Sequence, residues 1–291
     1  MIYLDDLQNT IRLDSASGVL EAFQNLKDKI IEEDGLVGEL KNTLSEAELN
    51  SKFKELEQLC EKSGEHPFIH DVKQNEFTEE GFRYFALAFY AHIYHAFEDV
   101  IFGIANSAPP SVSLRRTLIS NLWDEFGAGN QESSHLQIYE DTILSFIQAQ
   151  PLQESEMHWF ELGHDSEVRL FASKYGVDEK ATVTANMWSE VGKLPYRAAL
   201  SALVFGSEFT PRHLFPPIAD CIKRSGLPDN VGLFFRLHIA CDECHFGELM
   251  GELNRQVKTR HDLVEAEVGT RIMLQIRNYL FDHLRDKKLF K

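Results

Sequence analysis

The chain has 291 residues, of which 43% are hydrophobic and 26% are charged. That composition is typical of a folded globular protein and excludes a disordered one. The chain has 29 Lys and Arg residues against 46 Asp and Glu residues, so its formal net charge is −17. Such an acidic protein repels nucleic-acid phosphates and anionic lipid surfaces, which makes both poor partners and favours a small-molecule substrate.

Cellular location is predicted from the cysteines and the first residues. Four Cys residues are too few and too unevenly spread for a disulfide framework. The first residues contain neither a basic region nor an apolar signal core. The longest apolar stretch, residues 84–97, contains His92 and His95 and is too short to span a bilayer. We therefore expect a cytoplasmic protein.

Helical periodicity dominates the first part of the chain, because apolar residues recur every three or four positions. Residues 17–31 predict a first helix. Ser45 and Glu48 form a capping box that begins a second helix, which ends near residue 62. Residues 66–75 are predicted to be a loop, and Thr78 begins a long apolar helix that ends near residue 104.

The rest of the chain is helical as well, with most Gly and Pro residues between the periodic segments. The further predicted helices are 111–125 (beginning at Ser111 or Ser113), 135–148, 154–175, 178–191, 195–209, 212–224, 231–253 and 263–286. No internal repeat or flexible linker divides the sequence. The prediction is an all-α fold, a helical bundle of residues 78–291 with a more polar N-terminal helical extension of residues 1–77 packed on it.

The strongest local pattern is the segment around His238, Asp242 and His245. At the helical period these residues fall at about 0°, 40° and 340°, so two imidazoles and a carboxylate share one narrow stripe. Two polar surface histidines beside an acid would give the same spacing. The flanking residues are apolar, however, and burying three ionisable groups without a metal or partners is costly. Metal ligands and surface residues both remain open for this motif alone.

Cys241 and Cys244 lie in the same segment and raise the alternative of a zinc site. On a continuous helix they lie about 60° and about 120° away from the His and Asp stripe. The sequence contains no second Cys-x2-Cys or Cys-x2-His pair that would complete a tetrahedral site. Zinc is therefore disfavoured.

Other potential ligands lie in apolar helices. A dinuclear carboxylate site draws carboxylates and histidines from several helices of one bundle. The chain offers Glu98, Glu125, His135 and Glu208. Glu125 and His135 would point about 80° apart on an ideal helix, so they converge only if the glycine-containing segment between them bends. Each residue alone is more typical of an exposed or capping position, and the inference depends on their joint placement.

These residues together resemble the heme-oxygenase-like diiron oxidases and oxygenases, a non-heme family that has the helical fold of heme oxygenase and the thiaminase-like proteins. The resemblance covers residues 80–288. Its most specific parts are the Phe-Phe-x2-His-x3-Asp-x2-His segment that ends at His245, the Glu-x2-Pro motif at Glu208, and the segment from Glu125 to His135. It implies a heme-oxygenase-like diiron domain in residues 78–291.

The resemblance also implies a ligand set and an activity. One iron would take Glu98, Glu125 and His135, and the other would take Glu208, His238, Asp242 and His245. The cofactors would be two Fe(II) ions, or a manganese–iron pair, with O2 as co-substrate. The expected reaction is N-oxygenation, desaturation or oxidative C–C cleavage of a small amino-acid-derived or nitrogenous substrate in a biosynthetic pathway. An external electron donor and a homodimer remain open as partners.

Several alternatives remain at this point. The same family includes fatty-acid or other carboxylate decarboxylases and desaturases, and the same fold includes metal-free thiaminase-like and quinone-cofactor-synthesis enzymes. A non-enzymatic interaction protein is a further option. A heme oxygenase would need a proximal histidine, for which His66 or His70 could be argued. Arg115, Arg116 and Arg236 could pair with a substrate carboxylate, although arginines in helices more often form salt bridges.

Overall fold

The computed structural model describes residues 18–94, 96–151 and 172–291, without the side chains of Tyr94, Ala240 and Asp242. The α-helices in these ranges, numbered α1 to α12 in chain order, are Gly18–Glu33, Glu46–Ser63, Pro67–Gln74, Glu79–Tyr94, Ala96–Ser107, Val112–Glu125, His135–Tyr139, Glu179–Val191, Tyr196–Ser201, Pro211–Arg224, Leu233–Gln256 and Arg260–Arg285. Most of the predicted helix 154–175 lies outside the described residues.

The remaining regular structure is also helical. Two π-helical segments, Glu140–Leu144 and Ala202–Phe209, continue α7 and α9. Two isolated bridges, Thr43 to Thr259 and Phe77 to Phe290, are the β-pairing within the described ranges. The predicted all-α class is therefore confirmed. None of the described helices is both long enough and apolar enough to cross a membrane.

The predicted loop at residues 66–75 is wrong, because α3 occupies most of it. Pro67 provides a preorganised first helical residue. The Nδ1 atom of His66 accepts a hydrogen bond from the backbone N–H of Phe68, at 3.1 Å. Ile69 and Val72 are fully buried with Phe68 against the bundle. Tertiary burial stabilises a helix that is too short to form by itself.

Most predicted helix starts agree with the structure. Ser45 and Glu48 form the predicted capping box of α2. The hydroxyl of Thr78 accepts the backbone N–H of Gly81 at the start of α4, and Ser111 caps α6. The long helix predicted up to residue 104 corresponds to α4 and α5, with residue 95 between them outside the description.

Helix α12 lies at the centre of the bundle, and most of its side chains are buried, including polar ones. It packs on α8, α9, α1 and the π-helical segment after α9. The N-terminal helices pack on this core as well. Lys27 lies 3.8 Å from Glu265, Lys52 lies 3.2 Å from Glu267, and α2 places a phenylalanine on the π-helical segment. The division into residues 1–77 and 78–291 stays a prediction.

The packing predicts a selective cysteine reactivity. All four cysteines are free; Cys60 and Cys221 are buried, whereas Cys244 is exposed. Burial raises the pKa of the Cys60 thiol to about 12 and raises that of Cys221. Because the thiolate is the nucleophile, we expect iodoacetamide to label Cys244 of the folded protein and to spare Cys60 and Cys221. Peptide mass spectrometry reads this out, with the denatured protein as control. Rapid labelling of Cys60 without denaturant would contradict the packing.

Candidate metal centre

A cavity of about 700 Å³ lies inside the bundle. Aromatic and aliphatic side chains from several helices form most of its lining. The polar lining residues include five of the predicted ligands: Glu98, Glu125, His135, Glu208 and His238. The predicted ligands of the two metal positions therefore meet at one largely apolar space.

Helix α11 carries the predicted His and Asp stripe. It is a continuous α-helix over Leu233–Gln256, so it has the regular helical period on which the predicted stripe depends. The Nδ1–H of His238 donates to the carbonyl oxygen of Phe234, at 2.9 Å. This hydrogen bond fixes the tautomer and leaves the Nε2 lone pair available to a metal. The side chain of Asp242 lies outside the described residues, so its role stays a prediction.

Glu125 and His135 are brought together by a chain reversal. Helix α6 ends at Glu125, and Gly127 follows with a φ of 80°. A Cβ atom at Gly127 would lie 2.1 Å from a backbone oxygen of the same turn, so only glycine fits. Helix α7 then begins at His135, with Ser134 as its cap. The glycine-containing segment therefore bends, as the convergence of Glu125 and His135 required. The Nδ1 atom of His135 contacts the Glu125 carboxylate.

Glu208 is positioned by the π-helical segment Ala202–Phe209, in which every residue is buried. The hydroxyl of Thr210 donates to the carbonyl oxygen of Phe205, at 2.7 Å, and satisfies an acceptor at the end of this segment. A π-helical turn contains an extra residue and is frequent at functional sites. The Glu208 side chain is almost fully buried, and its Oε1 atom has no hydrogen-bond partner among the described residues.

Short distances connect these residues. The ligand atoms of Glu125, His135 and His238 all lie within 4.8 Å of one another. The Nδ1 atom of His245 lies 3.7 Å from the Glu125 Oε1 atom and 3.6 Å from the Glu208 Oε2 atom. Five of the predicted ligands therefore lie close to one another, and Glu98 lines the same cavity. Their assignment as ligands stays a prediction.

The carboxylates repel one another at close range. Burial, with the charges of Asp99 and Glu125, raises the pKa of Glu98 to about 7. Burial also raises the pKa of Glu208. At Glu125 burial acts in the same direction, but His135 and the other nearby imidazoles outweigh it and lower the pKa. The site therefore brings three carboxyl groups into a poorly solvated space, where a divalent cation would stabilise their ionised forms.

The two histidines of α11 respond oppositely to the same surroundings. Burial, together with the neighbouring imidazole of His135, lowers the pKa of His238 to about 4. Burial also acts to lower the pKa of His245, but Glu208 and Glu125 outweigh it and raise the value to about 9. His238 is thus neutral at physiological pH, the state in which an imidazole can bind a metal.

The residues present fit an iron pair. The described donors are three imidazoles and three carboxylates, the set that binds iron or manganese in helical bundles. The unpartnered Oε1 atom of Glu208 is a buried acceptor that a cation would satisfy. Cys241 is only partly buried and Cys244 is exposed, and neither lines the cavity. The donors therefore favour iron or manganese over thiolate-bound zinc.

A second acidic cluster has another explanation. His261, Asp262 and Glu265 also lie within metal-binding distance of one another. Arg197 lies 3.1 Å from Asp262 and 3.4 Å from Glu265, however. Asp262 also accepts backbone N–H groups at the start of α12. This cluster is a salt-bridge network that joins α9 to the beginning of α12.

The histidines suggested for heme lie elsewhere. His66 caps α3, and its Nε2 atom lies 3.3 Å from a carboxylate oxygen of Asp282. His70 is exposed on α3. Neither residue lines the cavity. The two histidines considered from the sequence as proximal heme ligands therefore do not face this site.

Sequence analysis missed two charged residues of the cavity, Arg277 on α12 and Glu140 at the start of the π-helical segment after α7. The three arginines considered from the sequence do not line the cavity: Arg115 and Arg116 are exposed, and Arg236 bonds to Asp229. Arg277 is 7% exposed. The sequence signal that could have indicated Arg277 was its position in a predicted helix among apolar residues, such as Ile276 and Leu280.

Comparison with known proteins identifies the family. A family model described as iron-containing redox enzyme matches residues 83–278. The chain belongs to this family. Among solved structures, this iron-containing redox enzyme is similar to a CADD-like protein of unknown function from Nostoc punctiforme, with a TM-score of 0.58 and 14% identity over 84% of this chain and 99% of that one. The heme-oxygenase-like fold is thereby confirmed. No curated protein matches the chain at a significant level.

Proposed function

We propose that this protein is a non-heme diiron oxidase or oxygenase that uses O2 to oxidise a small organic substrate bound in the cavity. The observation that carries the proposal is the clustering of three imidazoles and two carboxylates beside a largely apolar cavity, which Glu98 also lines. Membership of the iron-containing redox family supports the same chemistry. From the resemblance, amino-acid-derived or nitrogenous compounds are the favoured substrates.

The proposed ligand sets follow the residues. Glu98, Glu125 and His135 would hold one iron, while Glu208 and the stripe of His238, Asp242 and His245 would hold the other. Ferrous iron held by these residues would supply electrons for the reduction of O2. An external donor is required wherever the substrate provides fewer electrons than complete reduction of O2 consumes.

The protein itself orients the ligands and excludes water. Phe234 accepts the Nδ1–H of His238 and thereby directs the other nitrogen. The Oδ2 atom of Asp124 lies 3.4 Å from the Nε2 atom of His245 and orients that ring. Aromatic rings pack around His238, with Phe215 at 5.6 Å between ring centres. These rings keep the site poorly solvated, which limits reaction of the bound iron with anything but the substrate.

Iron stoichiometry tests this proposal. We expect anaerobic titration of the metal-free protein with ferrous salt to saturate at about two irons per chain, followed by O2 uptake on exposure to air. Elemental analysis measures the iron and shows whether manganese competes for either position. The variant Cys241→Ser/Cys244→Ser is the control and should bind iron equally. Saturation at a single iron would refute the dinuclear centre, and no binding would favour a metal-free enzyme or an interaction protein.

A second substrate class, fatty acids, is favoured by one observation. The cavity lining is dominated by rings and aliphatic chains, including Phe85, Phe89 and Ile93, which suit an apolar chain as well as an aromatic side chain. O2 uptake by the ferrous protein with a panel of amino acids and fatty acids separates the two classes. The substrate is the class that accelerates O2 uptake.

A further inference from the structure

One part of the cavity wall carries polar side chains that are not among the proposed iron ligands. Arg277 of α12, Trp188 of α8 and Ser207 of the π-helical segment all line the cavity. Helix α12 and this segment are in direct contact, because the Met273 side chain packs against Gly206. Arg277 follows Met273 by about one helical turn. The three groups therefore lie in the region where α12 meets the segment that carries Glu208.

Arg277 places a positive charge in an apolar setting. The side chain is 7% exposed, and its guanidinium carbon lies 5.4 Å from the Trp188 ring centre. Among the described lining residues no other Lys or Arg is present. A guanidinium has five N–H donors in a planar arrangement that matches a carboxylate. At the cavity wall such a group can form charge-assisted hydrogen bonds to a carboxylate ligand.

Trp188 and Ser207 add two neutral donors. The indole Nε1 atom of Trp188 and the Oγ atom of Ser207 are buried, and neither has a hydrogen-bond partner within the described part of the chain. Buried polar atoms without partners are rare, and at a cavity wall a ligand commonly satisfies them. An indole N–H can only donate. Two unpartnered donors beside a guanidinium therefore suit a ligand that accepts hydrogen bonds and carries negative charge.

We propose that Arg277, Trp188 and Ser207 bind the carboxylate of an organic-acid substrate whose apolar body lies along the aromatic walls of the cavity. A monoanion suits the site, because a single guanidinium faces a cavity that also contains Glu98, Glu125 and Glu208. Amino acids and fatty acids both carry this head group. The proposal rests on the proposed function for the fate of the substrate, whereas binding of the head group can be tested without iron.

The experiment compares an acid with its neutral counterpart. Isothermal titration calorimetry measures octanoate and octanamide binding to the metal-free full-length protein, whose helical content is checked by circular dichroism. The amide has the same alkyl chain and no charge. Using metal-free protein excludes direct binding of the acid to iron. We expect the wild-type protein to bind octanoate at least about 10-fold more tightly than octanamide, since hydrogen bonds to charged groups are the stronger ones.

Arg277→Gln should remove this preference, so that octanoate and octanamide bind with similar affinity. Arg212→Gln is the matched control. Arg212 also stacks on aromatic rings, with Phe209 at 5.0 Å, but it does not line the cavity. This variant should keep the wild-type preference. Trp188→Phe keeps an aromatic ring, although a smaller one, and loses the indole N–H group, so it should lower the preference even if Arg277→Gln fails to fold.

The outcomes are distinct. A wild-type protein without a preference for octanoate would overturn the proposal, as would a folded Arg277→Gln or Trp188→Phe variant that retains the full preference. Failure of the proposed function gives a different result, because a protein that binds no iron can still prefer the acid. Conversely, normal iron binding without an acid preference would leave the diiron proposal intact and refute the role of Arg277.

Discussion

Replacing His238 with alanine should remove the metal centre and lower O2 uptake by more than about 100-fold, since even indirect changes around metal ligands cost 10- to 100-fold. His238 contributes a neutral imidazole whose Nε2 atom is directed by Phe234, and its ring lies 4.2 Å from that of His135. The substitution removes one of three residues whose ligand atoms all lie within 4.8 Å of one another. Elemental analysis and an oxygen electrode measure the two effects.

His213→Ala is the matched control for that variant. His213 is a partly buried histidine of α10 whose ring lies 5.4 Å from that of Phe209, and it does not line the cavity. Both substitutions remove one packed imidazole, so both should lower the free energy of unfolding by a similar amount, roughly 1–3 kcal/mol. Only His238→Ala should lose iron. A His238→Ala protein that binds as much iron as the control and consumes O2 normally would refute the ligand assignment.

The part of the site predicted best from sequence is the part set by local geometry. A stripe on a continuous helix depends only on the helical period, so His238 and His245 could be placed on one face without knowledge of the fold. The convergence of Glu125 and His135 was predicted on the condition that the glycine segment bends. Positive φ angles at Gly127 and its neighbours meet that condition.

Two other features, the position of Glu208 and the helix α3, could not be predicted from a regular helical period. Glu208 lies in a π-helical segment, and a period of about 100° per residue does not register its extra residue. Helix α3 looked like a loop because its eight residues are too few for a strong pattern. It forms because Phe68 and Ile69 are buried against other helices, and this contact lies outside the local sequence.

Arg277 was missed for a related reason. The periodic apolar residues of α12 predicted a helix at 263–286, close to the observed Arg260–Arg285. Periodicity indicates which face of a helix is apolar, but α12 is buried on nearly all sides. Whether Arg277 contacts solvent, a salt-bridge partner or a cavity depends on α8 and the π-helical segment, which are distant in sequence. Burial of a charge in a helix that other helices surround on nearly all sides is a tertiary property.

Gly269→Ala should strongly destabilise the protein, because α12 and α9 are in backbone contact at this residue. A Cβ atom at Gly269 would lie 2.0 Å from the carbonyl oxygen of Ala198. Neither atom belongs to a side chain that can rotate away, so the helices must separate. We expect the free energy of unfolding to fall by about 3 kcal/mol, the upper part of the range for overpacked cores.

Gly251→Ala on α11 is the matched control, because it should change the free energy of unfolding in the opposite direction. Its added Cβ would meet only the end of the Arg255 side chain, at 3.7 Å, so the helical propensity of alanine should raise the free energy of unfolding by roughly 0.5–1 kcal/mol. Urea denaturation of both variants, followed by circular dichroism, measures the two changes. Equal stability of the two variants would contradict the close approach of α9 and α12.

The same pair of variants should differ in ligand binding. Helix α9 continues into the segment that carries Glu208, and α12 carries Arg277. Gly269→Ala should therefore also weaken iron and octanoate binding, whereas Gly251→Ala should affect neither.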